Sequence, residues 1–198
     1  APGDEAMLRC LGRDGVESDR MINALLARLR RHPGLQSPPK SKDDWPKFSA
    51  ALMEPVIAAA FASLILPAED MEAIVSVARH VILSGEVTAE PEVIALLALQ
   101  LSLCEYALAP PPGEPPLVTG LESALLAALY APLQPEMADE ILEKGEATLT
   151  ALPWCGQLIV RMGPEKMREW VLKATLPSLS TTGDKVSRAV RAQYEESP

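Results

Sequence analysis

Trp154-Cys155-Gly156 is the one place in the sequence where residue types and spacing suggest covalent chemistry. A cysteine at a helix N-terminus has a lowered pKa, and W-C-G opens the thioredoxin-like redox motif. The second cysteine of that motif is missing, since positions 157 and 158 are Gln and Leu, and no strand or βαβ pattern surrounds it. The thiol therefore reads as buried and structural. His32 and His80 are the only histidines, and neither stands near a cysteine in sequence. H-x-x-x-H, C-x-x-C and carboxylate-rich calcium loops are absent, so no metal or other cofactor is expected. Neither G-x-x-x-x-G-K-S/T nor G-x-S-x-G is present, which removes NTPase and hydrolase readings. His80, between Arg79 and Val81 on an amphipathic helix, reads as a solvent-edge or hydrogen-bonded residue rather than a general base. The chain is expected not to be an enzyme.

Charge is the next source of chemistry. The formal net charge is −9, and it is unevenly spread. Residues 1–47 carry nine Lys/Arg against seven Asp/Glu, residues 48–148 two against fifteen, and residues 149–198 seven against five. The middle is strongly acidic and both ends are mildly basic. At the ends stand Arg20, Arg28, Arg30 and Arg31, then Lys166, Arg168, Lys173, Lys185, Arg188 and Arg191. The first cluster sits mostly in the last turn of a helix, where cations favour the negative end of the dipole. The alternative is phosphate contact, as in an RNA-binding or nucleoprotein-type helical domain. Glu136, Asp139, Glu140 and Glu143 lie on one side of a helix, as a solvated face or a docking strip for a basic partner. Base-stacking aromatics are scarce: Trp45, Tyr106, Tyr130, Trp154 and Tyr194, with Trp170 expected in the core. A protein partner is therefore the first expectation, with RNA as the second, for an interaction or scaffold domain that binds through exposed helix surfaces or grooves.

Helices must position these residues. Hydrophobic residues make up 48% of the chain and aromatics only 4%, so the core is aliphatic and the composition is helical rather than strand-like. Glu92–Ala109 organises the rest: only Gln100, Ser102 and Glu105 interrupt its apolar run, so it has no wet face and predicts a buried helix. It approaches the length of a bilayer span, but Glu105 and its many small residues favour a soluble core over membrane insertion. Nineteen prolines fall mostly between periodic segments and punctuate many short helices.

Residues 1–17 are expected to be flexible or a single helical turn at best, and residues 18–198 to form an all-helical domain. From Ser18 as N-cap, Met21, Ile22, Leu25, Leu26 and Leu29 form one stripe, which His32-Pro33-Gly34 stops. Leu35–Lys42 reads as a loop or partly disordered linker. Asp44 is a candidate cap for a segment that Pro55 should kink or split, and Pro67 opens a helix that Gly85 ends. Pro110–Pro116 is stiff and extended and divides the domain into halves. Thr119 and Glu122 form a capping-box pattern, and Pro135-Glu136 starts a helix with Met137, Ile141 and Leu142 inward. A short helix should follow the Pro153–Gly156 turn and stop at Gly163, with Pro164 opening the next, and Asp184 capping the last.

Serial helix pairs with proline-marked turns suggest a HEAT-like or armadillo-like stack, with a single globular helical bundle as the alternative. Tetratricopeptide, ankyrin and leucine-rich signatures are absent. Three widely spaced cysteines point to a reducing, intracellular setting, cytoplasmic or nuclear. The opening APGDEAML, with neither initiator Met nor leader, reads as an excised domain or processed product.

Overall fold

Proline sets where most of the helices begin in the computed structural model, which describes residues 2–11, 19–109 and 111–175. The order is α1 (Pro2–Leu11), α2 (Asp19–Arg31), α3 (Trp45–Leu52), α4 (Pro55–Ser63), α5 (Glu69–Leu83), α6 (Pro91–Leu103), α7 (Leu121–Ala127), α8 (Pro135–Ala151) and α9 (Pro153–Val160). A π-helical turn, Arg161–Glu165, and α10 (Lys166–Thr175) follow. No strand occurs among the described residues. Proline occupies the first turn of α3, α4, α6, α8 and α9, where its missing N–H has no intrahelical partner to lose. The chain forms two compact units, residues 1–166 and 167–198. In the second, the described residues 167–175 are helical, and the Thr175 hydroxyl donates to the Leu172 carbonyl at 2.8 Å. The expected helix after Asp184 lies outside the described residues.

Helix α6 is the hub of the first unit. Every residue from Glu92 to Leu101 is buried. It packs against α3, α4, α5, α7 and α9. Because α6 also contacts α9, far along the chain, the arrangement fits a helical bundle built around one helix. The apolar run stops being helix earlier than expected, at Leu103. Glu105 and Tyr106 take left-handed backbone, with φ of 49° and 56°, and the Tyr106 N–H reaches the Leu101 carbonyl at 2.9 Å. Two such residues cannot continue a right-handed helix. Glu105 is thereby turned out to solvent, while Tyr106 stays half-buried.

Several local expectations hold. Pro55 splits α3 from α4, and Gly85, at φ 74°, follows the end of α5 as a left-handed cap residue. Others are overturned. Residues 2–11 form three turns rather than one, because Met7, Leu8 and Leu11 pack on the core and α1 lies on α4. Leu35 and Pro39 are buried, so the loop after α2 is held down at two points. Asp44 donates no cap to α3; its carboxylate turns back to accept from the Ser41 hydroxyl at 2.9 Å and the Lys40 N–H at 3.2 Å. The capping box at α7 is shifted by one residue. Ser123, not Glu122, reaches back, and its hydroxyl accepts from the N–H groups of Thr119 (2.8 Å) and Gly120 (3.1 Å). In α8, Pro135, Ala138, Ile141 and Leu149 are buried, whereas Met137 is exposed and Leu142 half-buried.

Gly163 does not stop α9. A Cβ at that position would lie 2.8 Å from the Ala138 Cβ, so glycine is needed there for close approach to α8. Pro164 falls inside the π turn, a local widening that accommodates the proline's missing donor. No helix among the described residues is long and apolar enough to cross a membrane.

Candidate functional site

Helices α7 and α8 are consecutive, yet each makes its main packing with other elements. Helix α7 rests on α6, while α8 rests on α9 and the π turn. Each has one apolar side toward the core, so their divergence uncovers part of both. The result is a groove of two lobes. The larger, about 590 Å³, is floored by Ile82 and Val87 from the end of α5 and its loop, Ile94 from α6, and Leu125 from α7. The smaller, about 290 Å³, runs between Val118–Leu121 and the α8 residues Met137, Ile141 and Lys144. Leu121 and Thr148 line both lobes, which makes them one continuous feature.

The floor is aliphatic and the rim is acidic. Glu122 on α7 and Glu140 on α8 are exposed at its edges. Among the described residues the one cation that lines it, Lys144, pairs with Glu140 one turn away, which holds the Glu140 carboxyl below its ordinary range. Residues 84–152, which supply most of the groove, contain eleven Asp/Glu and one Lys. The sequence picks out Glu136, Asp139, Glu140 and Glu143 as one strip, but the structure divides them. Glu140 faces the groove, Asp139 is half-buried beside Gly163, and Glu136 and Glu143 are exposed.

Two of the basic candidates are engaged by carboxylates. Arg28 pairs with Asp4 of α1 at 2.7 Å and approaches Glu54 at 3.9 Å. Arg30 makes a forked pair with Asp70 at 2.6 and 2.9 Å, which lowers the Asp70 pKa. Arg31, Lys166 and Arg168 are exposed. The side chains of Arg20, Lys173 and Trp170 are outside the described set, as are residues 185, 188 and 191. Trp45, counted among aromatics free to stack on bases, is instead buried against Phe48, with ring centroids 5.3 Å apart. Trp154, Tyr106 and Tyr130 are half-buried. His80 is exposed in the last turn of α5, and His32 bonds Glu54 at 2.9 Å.

Cys155 occupies the first turn of α9, as a reactive cysteine would, but that helix end is already occupied by a carboxylate. Leu152 at the N-cap has no capping group and Pro153 has no N–H, so Trp154 and Cys155 carry the first donors. Both point at Glu92, 9% exposed in the first turn of α6, which accepts from Trp154 at 3.3 Å and from Cys155 at 2.9 Å. The carboxylate thus lies at the positive ends of two helices. Burial, and next the hydrogen bond to Glu92, push the Cys155 thiol up to about 12. A thiolate is therefore disfavoured where redox or nucleophilic chemistry needs one.

Two results follow for this thiol. A thiol reagent applied to the native protein should modify the half-buried Cys10 and Cys104 first and reach Cys155 only as the fold opens. Stability should also fall at high pH. Below the ordinary thiol value near 9.0 the group is neutral in both states; above it the unfolded chain ionises first, so stability drains away up to about 12. Rapid labelling of Cys155 in the folded state would contradict this assignment.

Among the described residues Arg79 is the other buried charge, at 2% exposure. Its guanidinium donates to the Ala109 carbonyl and, at 3.5 Å, to the Leu129 carbonyl, while its Nε is buried without a partner. Desolvation lowers its pKa. Nearby, the Tyr106 hydroxyl donates to the Ala128 carbonyl at 3.0 Å, and burial raises its pKa. These bonds fasten the chain after α6 to the turn after α7. Among the described residues, no group of three or more His, Cys, Asp or Glu is placed to hold a metal ion. The chain matches no known protein family, and neither a characterised protein nor a solved structure shows significant similarity to it.

Proposed function

We propose that this chain is a protein-interaction module that receives a partner in the groove between α7 and α8, as an adaptor or scaffold element of a larger intracellular protein. The observation that carries the reading is the gap between two consecutive helices over a buried aliphatic floor, whose walls leave Leu121, Leu126 and Leu152 half-buried and Met137 exposed. Taken as a bundle or as a short HEAT-like stack of hairpins, the fold offers the same gap. The three unpaired cysteines support a reducing setting. The RNA-binding alternative draws less support, since Arg28 and Arg30 are both engaged by carboxylates.

Thr148 is exposed on α8 and lines both lobes, so Thr148→Trp should fill the groove while changing stability by no more than about 0.5 kcal/mol. Capture from lysate with the natural chain and with this variant, each with and without nuclease, is the test. The expected result is a set of proteins that survives nuclease and is lost with Thr148→Trp. Capture that is indifferent to the variant, or that vanishes with nuclease, would remove the proposal.

A further inference from the structure

We infer that the occupant of the groove is a cationic amphipathic α-helix of a partner protein, lying apolar side down with Lys or Arg along its edges; this rests on the protein-interaction reading above. Three features select it. The lining offers Leu121, Leu126 and Leu152, which are half-buried, and Met137, which is exposed; these call for an apolar face, since covering such side chains is what binding gains. On the rim Glu140 and Lys144 neutralise each other, which leaves the net charge of the lining negative through Glu122. An anionic polymer or acidic peptide would be repelled by a stretch with eleven acids and one Lys.

The shape of the walls decides the conformation. An extended peptide recruited by strand addition needs a sheet edge for its backbone N–H and C=O groups, and no strand exists among the described residues. A polyproline ligand needs an aromatic-lined groove, and among the described residues the lining contains no aromatic side chain. A helix satisfies its own backbone and presents side chains at i, i+3, i+4 and i+7, so it can lie between two helices on apolar contacts alone. Lys or Arg at its edges then meets Glu122 on one wall and competes with Lys144 for Glu140 on the other.

The test uses the full chain and three fluorescent designed peptides: an amphipathic helix of Leu, Ala and Lys, an isomer of the same composition with the Leu positions scrambled, and a counterpart with Glu in place of Lys. Anisotropy titrations should show the first binding at least about tenfold more tightly than the other two, and more weakly as salt rises. Glu122→Lys with Glu140→Lys should weaken it by about tenfold or more. Thr148→Trp should abolish it. Circular dichroism of each variant establishes that folding is intact. Equal binding of the scrambled or acidic peptide, or binding untouched by the charge reversals, would overturn the inference. If the cationic helix fails to bind while Thr148→Trp still strips proteins from the lysate capture, the occupant is wrong and the groove reading stands. Should the peptide bind as well to Thr148→Trp, both fall.

Discussion

Leu97→Ala should lower the stability of the fold by roughly 2–5 kcal/mol, the range for truncating a buried leucine where neighbours cannot close the gap. Leu97 has 0% exposure and sits midway along α6. The elements around it are fixed against α6 on several sides, by α4, α5, α7 and α9, so no single one can move in without losing another contact. The lost methyl groups leave a cavity rather than a dimple. A domain of this kind has about 5–15 kcal/mol in all, so the loss should be plain in urea unfolding as a lower midpoint with unchanged slope. Leu117→Ala provides the control. That side chain is 82% exposed, and its removal should change stability by less than about 0.5 kcal/mol. A loss below about 1 kcal/mol at Leu97 would mean that α6 is not the packed centre of the unit.

The second large effect is expected at Glu92. Glu92→Ala should cost roughly 3 kcal/mol or more, since hydrogen bonds to a charged acceptor contribute about 1.5–3 kcal/mol each and the donors left behind at Trp154 and Cys155 lack a replacement. Glu92→Gln should fall between the two, because an amide offers one acceptor oxygen and turns a second donor toward an N–H. The informative readout is where the damage lands. Amide hydrogen exchange should rise in the first turn of α9 before it rises in α6, though the substitution is in α6. If stability stays within about 1 kcal/mol, water has taken the place of the carboxylate and the contact is not a structural tie.

Much of the fold is legible in the sequence because its punctuation is local. Pro55, Pro91, Pro135 and Pro153 each stand at the first position of a helix, and proline's fixed φ and missing donor make that position readable without neighbours. The apolar run after Glu92 also announces its own burial. What escapes local reading is any contact made at long range. Glu92 looks like an ordinary acidic residue in a first turn; its partner donors lie more than sixty residues away. Gly163 looks like a stop, yet the space it vacates is filled by Ala138 from another helix. Residues 2–11 look too short to be stable alone, and they hold three turns because α4 covers their apolar side.

The groove is illegible for a related reason. Periodicity tells which side of α7 and α8 is apolar, through Leu121, Leu125, Ile141 and Leu149, but not whether the two sides will meet. That depends on how α9 and the π turn hold α8, which is a property of the packing and not of either helix. The acidic strip shows the same limit. Its four carboxylates share a helix side in sequence spacing, and only Glu140 is brought to the groove.

The bond from Arg79 to Ala109 has an engineering consequence. A guanidinium that holds main-chain carbonyls is blind to the side chains of the residues it grips, so position 109 can be any amino acid and still be anchored. At the far end of the same connection, Ser123 holds the N–H groups of Thr119 and Gly120. The proline-rich span between these two fastenings is therefore clamped at both ends and committed to little in the middle, where Glu114, Pro115 and Leu117 are exposed. Lengthening such a span costs only about 0.6 kcal/mol per doubling. It is the natural place to graft a tag, a reporter or a foreign epitope into this chain without loosening α6 or α7.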